Sequence, residues 1–186
     1  MDNGASSYRR FREEGDESGL AEIIDTYRDG LIFYLNSYVC NILVAEELAE
    51  DVFVLLGTKK PKDKGKGSFK TWLYTIGRHV AVDYLRHRKK MADTPVEELE
   101  NCLTEEEGVE RAYLKEEQKI ALHRAMRSLK AEYRQVLYLT YFDGFSNAEA
   151  AQAMDKSVRQ IENLLYRAKQ SLKSQLEKEN FVYEEL

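Results

Sequence analysis

From residue 20 onward the apolar side chains recur as Leu20, Ile23, Ile24, Tyr27, Leu31, Tyr34, Leu35 and Tyr38. An apolar residue at every third or fourth position lines one face of a helix, so this stretch is predicted to be a long amphipathic helix. Ala45, Leu48, Ala49, Val52, Phe53 and Leu56 repeat the spacing, with Glu46, Glu47, Glu50 and Asp51 on the remaining surface. A second helix with an acidic outer face follows from that pattern. Gly57 and Pro61 then interrupt it, and the lysine-rich stretch 59–66, followed by Gly67, is expected to be an exposed loop. Ser68 is placed to cap a third helix, whose stripe is Phe69, Trp72, Leu73, Ile76, Val80 and Tyr84 and which ends in the basic run 86–90.

Residues 91–113 carry Pro95, Gly108 and a run of glutamates with little periodicity, the pattern of a flexible acidic linker. Periodicity returns with Leu114, Ala121, Leu122, Ala125, Met126 and Leu129, then with Tyr133, Val136, Leu137, Thr140 and Tyr141. The expected architecture is all-α. It comprises an N-terminal helical domain over 1–90, the linker over 91–113 and a C-terminal helical domain over 114–186.

Local chemistry is sharpest between residues 146 and 172. Ser146-Asn147-Ala148-Glu149 reads as a capping box, in which the serine hydroxyl and the glutamate carboxylate satisfy each other's backbone amides. Ser157-Val158-Arg159-Gln160 is a second one, and Asp155 between them suits the left-handed conformation of a tight turn. Two short-linked helices result, the second with a buried stripe of Val158, Ile161, Leu165, Ala168 and Leu172. Small Ala150 and Ala151 allow a close crossing, which is the helix-turn-helix arrangement. Arg159, Gln160, Glu162 and Asn163 have side chains that read base edges, and Lys156, Arg167 and Lys169 suit phosphates.

Composition narrows the class. Of 186 residues 43% are hydrophobic and 33% charged, with only 2 prolines and 10 glycines, as befits a helical globular chain. The net charge of -5 conceals an alternation: 4 basic and 12 acidic side chains in 1–58, 11 and 2 in 59–90, 2 and 10 in 91–118, 11 and 6 in 119–178. Because screening isolates charges beyond about 8 Å at physiological salt, the two basic blocks remain candidate nucleic-acid surfaces. The first interleaves cations with Phe69, Trp72, Tyr74 and Tyr84, as single-strand binders do. Phe69, Trp72 and Tyr84 lie on the apolar stripe, which leaves Tyr74 and the cations as the better contacts.

Catalysis is not indicated: there is no HExxH, no Gly-rich phosphate loop and no nucleophile triad in recognisable context. His79, Asp83 and His87 share one helix face, but the surrounding cations oppose a metal and no fourth ligand follows. Neither a metal nor a cofactor is expected. Cys40 and Cys102 stand far apart without a CxxC, which points to no disulfide framework and to a reducing compartment. No stretch is long and apolar enough for a membrane span, so the expected address is the cytoplasm.

In order and in detail the chain resembles the extracytoplasmic-function group of bacterial sigma factors. The segment Ala45-Glu46-Glu47-Leu48-Ala49-Glu50-Asp51-Val52-Phe53 is similar to one motif of that family. Phe69-Lys70-Thr71-Trp72-Leu73-Tyr74-Thr75-Ile76-Gly77-Arg78-His79, continuing through Asp83-Tyr84-Leu85-Arg86, is similar to another. Residues 129–172 look like the family's promoter-recognition helix-turn-helix. Departures include His79 where asparagine is usual, Glu50 for glutamine, Asp155 for glycine and Leu164 for a DNA-contacting arginine.

The resemblance implies a specificity subunit with no enzymatic activity, which binds core RNA polymerase, selects promoters and helps to melt them. Glu46, Glu47, Glu50, Asp51 and Phe53 would face the polymerase clamp. Lys64, Lys66, Ser68, Lys70, Tyr74, Arg78, His79 and Arg86 would meet the minus-10 element. Lys156, Ser157, Arg159, Gln160, Glu162, Asn163 and Arg167 would read the minus-35 duplex. An anti-sigma factor is an expected partner, and direct membrane insertion is not. A free-standing helix-turn-helix regulator is the alternative reading, and a helical interaction adaptor a second.

Overall fold

Helix boundaries in the computed structural model, which describes residues 3–63, 65–91, 122 and 124–178, fall at capping side chains. Asp16 opens α2 (Glu17–Val39), its Oδ1 accepting the Ser18 amide at 3.0 Å. Asn41 opens α3 (Ile42–Lys59) by accepting the Val44 amide at 2.9 Å. The expected Ser68 cap begins α4 (Phe69–Met91), with its Oγ accepting the Thr71 amide at 3.2 Å. These are the three helices that the apolar stripes predict. Leu31, Tyr34, Leu35, Val52, Leu56, Phe69 and Leu73 are at most 1% exposed and form their common core. Each such side chain contributes about 1.5–3 kcal/mol on burial.

An N-terminal element without a legible stripe precedes them. α1 (Asn3–Arg9) runs into a π-helical turn over Arg10–Glu14, closed by Gly15 at φ 71°. Tyr8 packs its ring 5.2 Å from Trp72 and donates its hydroxyl to the Pro61 carbonyl at 2.7 Å, which pins one end of the lysine-rich loop.

In the C-terminal unit, α5 (Ala131–Leu137) continues as a π-helical turn over Tyr138–Phe142, followed by α6 (Asn147–Met154) and α7 (Val158–Lys178). Ala150, Ala153, Ile161 and Ala168 are fully buried where α6 and α7 cross. Two stripe positions depart from expectation. Val158 is exposed because it belongs to the cap turn rather than to the crossing. Tyr141 is also exposed, since the π-helical turn rotates it out of register; with its exposed neighbour Phe142 it borders an open apolar hollow of about 850 Å³ with Met126, Leu137 and Leu172.

The two units pack on one another, α4 against α6 and α2 against α5. Phe33 stacks on Tyr138 at 6.2 Å, and the buried Arg134 guanidinium donates from Nε to the Ser37 carbonyl at 3.2 Å. The predicted linker, the start of the C-terminal domain at Leu114, and Lys64 lie outside the described residues. Contrary to the cysteine reading above, Cys40 is disulfide-bonded; the chain's other cysteine, Cys102, is outside the described residues. Among the described residues there is no strand, and no helix is long and apolar enough to cross a membrane.

Candidate nucleic-acid interface

The helix-turn-helix forms as its sequence dictates. The Glu149 amide donates to Ser146 Oγ at 3.3 Å and the Ser146 amide to Glu149 Oε2 at 2.9 Å, so the first capping box is complete. The Ser146 amide, and then its hydroxyl at 2.8 Å, both donating to Glu149 Oε2, hold that carboxyl below its ordinary range. Asp155 takes the left-handed turn at φ 56°. The second box opens α7, with the Ser157 amide donating to Gln160 Oε1 at 2.8 Å and the Gln160 amide to Ser157 Oγ at 3.2 Å.

That geometry presents Arg159, Glu162, Asn163 and Arg167 on the exposed face of α7. Gln160 is exposed too, but its carbonyl oxygen serves the cap, leaving its amide group to donate. Lys156 is half-buried and bonded to Glu132 Oε1 at 2.7 Å. Tyr166, 68% exposed on the same face, was missed by residue-type reasoning. Its position one turn beyond Asn163 is the signal that could have found it.

The α4 surface is different. His79, Lys66 and Arg86 are exposed, the last bonded to Asp83 Oδ1 at 3.3 Å. Tyr74, expected as an accessible aromatic, is 1% exposed: its ring lies between Tyr34 at 5.1 Å and Phe145 of the C-terminal unit at 5.1 Å. Burial and its hydrogen bond to the Asp143 carboxylate raise its pKa well above the ordinary value. Lys70 donates from Nζ to the Asp143 carbonyl at 2.7 Å and approaches Oδ1 at 3.3 Å. Arg78 stands 3.8 Å from Asp155, and Ser68 Oγ donates to Glu149 Oε1 at 3.3 Å.

Asp143 is the centre of this contact. Burial raises its carboxyl pKa, against the opposing effects of Lys70 and Tyr74. Its Oδ2 is buried with no hydrogen-bond partner among the described residues.

On α3, Glu47, Glu50 and Asp51 are exposed, while Glu46 is half-buried with Arg28 at 3.6 Å. Phe53 is not on that face. It is buried, as its place between Ala49 and Leu56 on the apolar stripe requires. Leu43 and Val54, 50% and 60% exposed, flank the acids instead. Both fall off the buried stripe, so periodicity alone identifies them as outward-facing. His79, Asp83 and His87 lie on exposed surface, and no cluster of three metal-ligating side chains occurs among the described residues.

A helix-turn-helix unit packed on a three-helix unit with a basic, aromatic helix defines a class of transcription initiation factor, and the sequence comparisons agree. Residues 23–91 match the family model for sigma-70 region 2, and residues 119–172 match that for sigma-70 region 4. The chain is 24% identical to the ECF RNA polymerase sigma factor SigW of Bacillus subtilis, over 88% of this chain and 92% of that protein. It is 25% identical to the ECF RNA polymerase sigma-E factor of Escherichia coli K12, over 89% and 90%. The fold is that of CnrH in its complex with the cytosolic domain of CnrY, with a TM-score of 0.65, 19% identity, and coverage of 95% of this chain and 96% of that one. It is also that of the sigma factor RpoE from Bartonella quintana in complex with the anti-sigma factor NepR, with a TM-score of 0.69, 21% identity, and coverage of 84% and 96%. The chain belongs to the extracytoplasmic-function group of RNA polymerase sigma factors, which direct polymerase to promoters.

Proposed function

We propose that this chain acts in the cytoplasm as a non-catalytic subunit of RNA polymerase, with three surfaces for three tasks. The exposed acids Glu47, Glu50 and Asp51, flanked by Leu43 and Val54, suit a basic partner surface with apolar pockets and are assigned to core polymerase. Lys66, Ser68, Lys70, Arg78, His79 and Arg86 on and before α4 are assigned to the minus-10 element, with Tyr74 accessible only if the C-terminal unit moves. The α7 face is assigned to the minus-35 duplex. CnrH and RpoE are each found with a partner protein, CnrY or the anti-sigma factor NepR. A protein inhibitor of the same kind is proposed here.

The observation that carries the reading is the α7 face: a complete capping box at Ser157 and Gln160 fixes the start of a helix whose exposed first turns hold an arginine, a glutamine and an asparagine. Good bidentate contacts, open here to Arg159 and Asn163, discriminate bases by about 1–3 kcal/mol each, and Gln160 is left to donate from its amide group. The test is in vitro transcription from fragmented genomic DNA with core polymerase, with and without the protein, followed by sequencing of transcript starts. Starts that appear only with the protein and share two spaced upstream elements are expected, and alanine at Arg159, Gln160 and Asn163 together is expected to abolish them. Tight duplex binding by the free chain with no polymerase-dependent starts would refute the reading in favour of a free-standing regulator.

A further inference from the structure

Residues 3–15 take no part in the three surfaces assigned above, but they join α2 to the lysine-rich loop. On the α2 side Ser7 Oγ donates to Glu22 Oε2 at 2.6 Å, and Arg10 pairs with Asp16 at 2.9 Å and with Glu22 at 2.5 Å. Gly4 lets α1 lie flush against its neighbours, since a Cβ there would stand 2.5 Å from both the Tyr27 hydroxyl and Phe69 Cδ1. On the loop side are two buried aromatic residues, Tyr8 and Phe11. The Tyr8 hydroxyl donates to the Pro61 carbonyl at 2.7 Å, and the Lys60 ammonium lies 4.6 Å from the centre of the Phe11 ring.

The loop held in this way has a definite shape. Lys60 takes the left-handed conformation at φ 45°, unfavourable for a lysine, and it is this side chain that lies over Phe11. Asp63 Oδ1 accepts the Gly65 amide at 2.9 Å, and Gly65 turns the chain at φ 64°. Pro61 and Asp63 are half-buried, whereas Lys60, Lys62 and Lys66 are exposed, so the anchors face the protein and the cations face outward. Burial, opposed by the Arg12 guanidinium and aided by the Asp63 carboxylate, pushes the Tyr8 hydroxyl up to about 12. It therefore stays protonated, and a donor, at neutral pH.

We propose that Tyr8 is a positioning residue for promoter selection: through the Pro61 carbonyl, and with Phe11 beneath Lys60, the N-terminal element holds the loop in one shape and so sets which minus-10 sequences the protein accepts. The proposal rests on the assignment of the loop and α4 to the minus-10 element. A loop fixed before it meets DNA loses little freedom on binding and adapts poorly to an ill-fitting base. A loop released from its anchor adapts to more sequences and binds the best of them less well. The N-terminal element thus acts on base selection without touching a base.

The test is Tyr8→Phe in the full-length protein with core polymerase. This change keeps the ring against Phe69 and Trp72 and removes only the hydroxyl. Phe11→Leu, which removes the ring beneath Lys60, is the second variant. The template is a promoter recovered by the start mapping above, in two libraries, one randomised at its minus-10 element and the other at its minus-35 element. Both variants are expected to lower the ratio of starts from the best to the median minus-10 sequence about fivefold, the effect of one ordinary hydrogen bond. Minus-35 ratios should not change, and amide exchange in peptides spanning the loop should quicken. A role in stability alone would lower all starts by a common factor, so unchanged minus-10 ratios in both variants overturn the proposal however far total transcription falls. Lys66→Ala, run in parallel, separates the positioning role from the assignment beneath it. Altered minus-10 ratios in Lys66→Ala beside unaltered ones in Tyr8→Phe and Phe11→Leu overturn the positioning role alone. Unaltered ratios in all three overturn the assignment of the loop and the proposal with it.

Discussion

Replacing Arg134 by methionine should be among the most damaging single changes in this protein. Its guanidinium is 3% exposed and donates to three backbone carbonyls: Ser37 at 3.2 Å, Arg127 at 3.2 Å, and Leu129. Methionine fills much of the same volume but leaves those acceptors without this donor. A buried acceptor left unsatisfied costs about 1–3 kcal/mol. The Arg127 carbonyl is only partly buried, so water can replace one of the three bonds and about 3 kcal/mol is the expected net loss. Urea unfolding followed by far-ultraviolet circular dichroism measures it. Because the Ser37 bond crosses between the units, the variant is also expected to unfold in two steps where the wild type unfolds in one. Arg134→Lys should fall between them, since an ammonium cannot reproduce the planar fork. A loss below about 1 kcal/mol with an unchanged denaturant slope would refute the reasoning, because it would put Arg134 among ordinary surface-like substitutions.

Three further outcomes follow from the structure. Ser146→Ala removes the first cap and should cost about 1 kcal/mol. The Glu149 carboxyl is held below its ordinary value of 4.5, so its contribution to stability is complete above that pH and lost as pH falls through the lower folded-state value. Glu149→Gln should flatten this acid limb in pH-dependent urea titrations, and an unchanged limb would contradict the assignment. Reversing Glu47, Glu50 and Asp51 to lysine should slow association with core polymerase about tenfold at low ionic strength. That deficit should shrink as salt is added, as surface plasmon resonance at several salt concentrations would show.

The apolar stripes located α2, α3 and α4, and the residue types at 146, 149, 155, 157 and 160 located both capping boxes and the turn between them. Each of those features is decided within about one helical turn, where side-chain periodicity and backbone amides leave few alternatives. α1 escaped because Asn3–Arg9 is short and rich in small polar residues, and packs on α2 and on the Phe69 and Trp72 rings rather than presenting a stripe of its own. Tyr74 was misread as accessible for a related reason. Its cover, Phe145, belongs to the other unit, and the bond that positions Lys70 spans 73 residues. Arg134 falls off the apolar stripe of its helix, so periodicity gives no reason for its burial. Only the return of the chain past Ser37 makes it internal.

Glu149 shows how a local rule becomes a long-range one. Its carboxylate caps α6 through the Ser146 amide, and its other oxygen accepts from Ser68, which is itself the cap of α4. One negative charge therefore stands near the N-termini of two helices, one in each unit, where the helix dipoles favour an anion. The sequence reveals the first of these roles, because Ser146 and Glu149 are three residues apart. The second role depends on 81 residues of intervening chain. Since α4 begins at Phe69, directly after the lysine-rich loop, the end of that helix is met in this packing by a carboxylate of the C-terminal unit. Separating the units would leave the Ser68–Thr71 cap in place and remove only that anion. The surface uncovered would be one whose helix is already formed, so opening would require no refolding of α4.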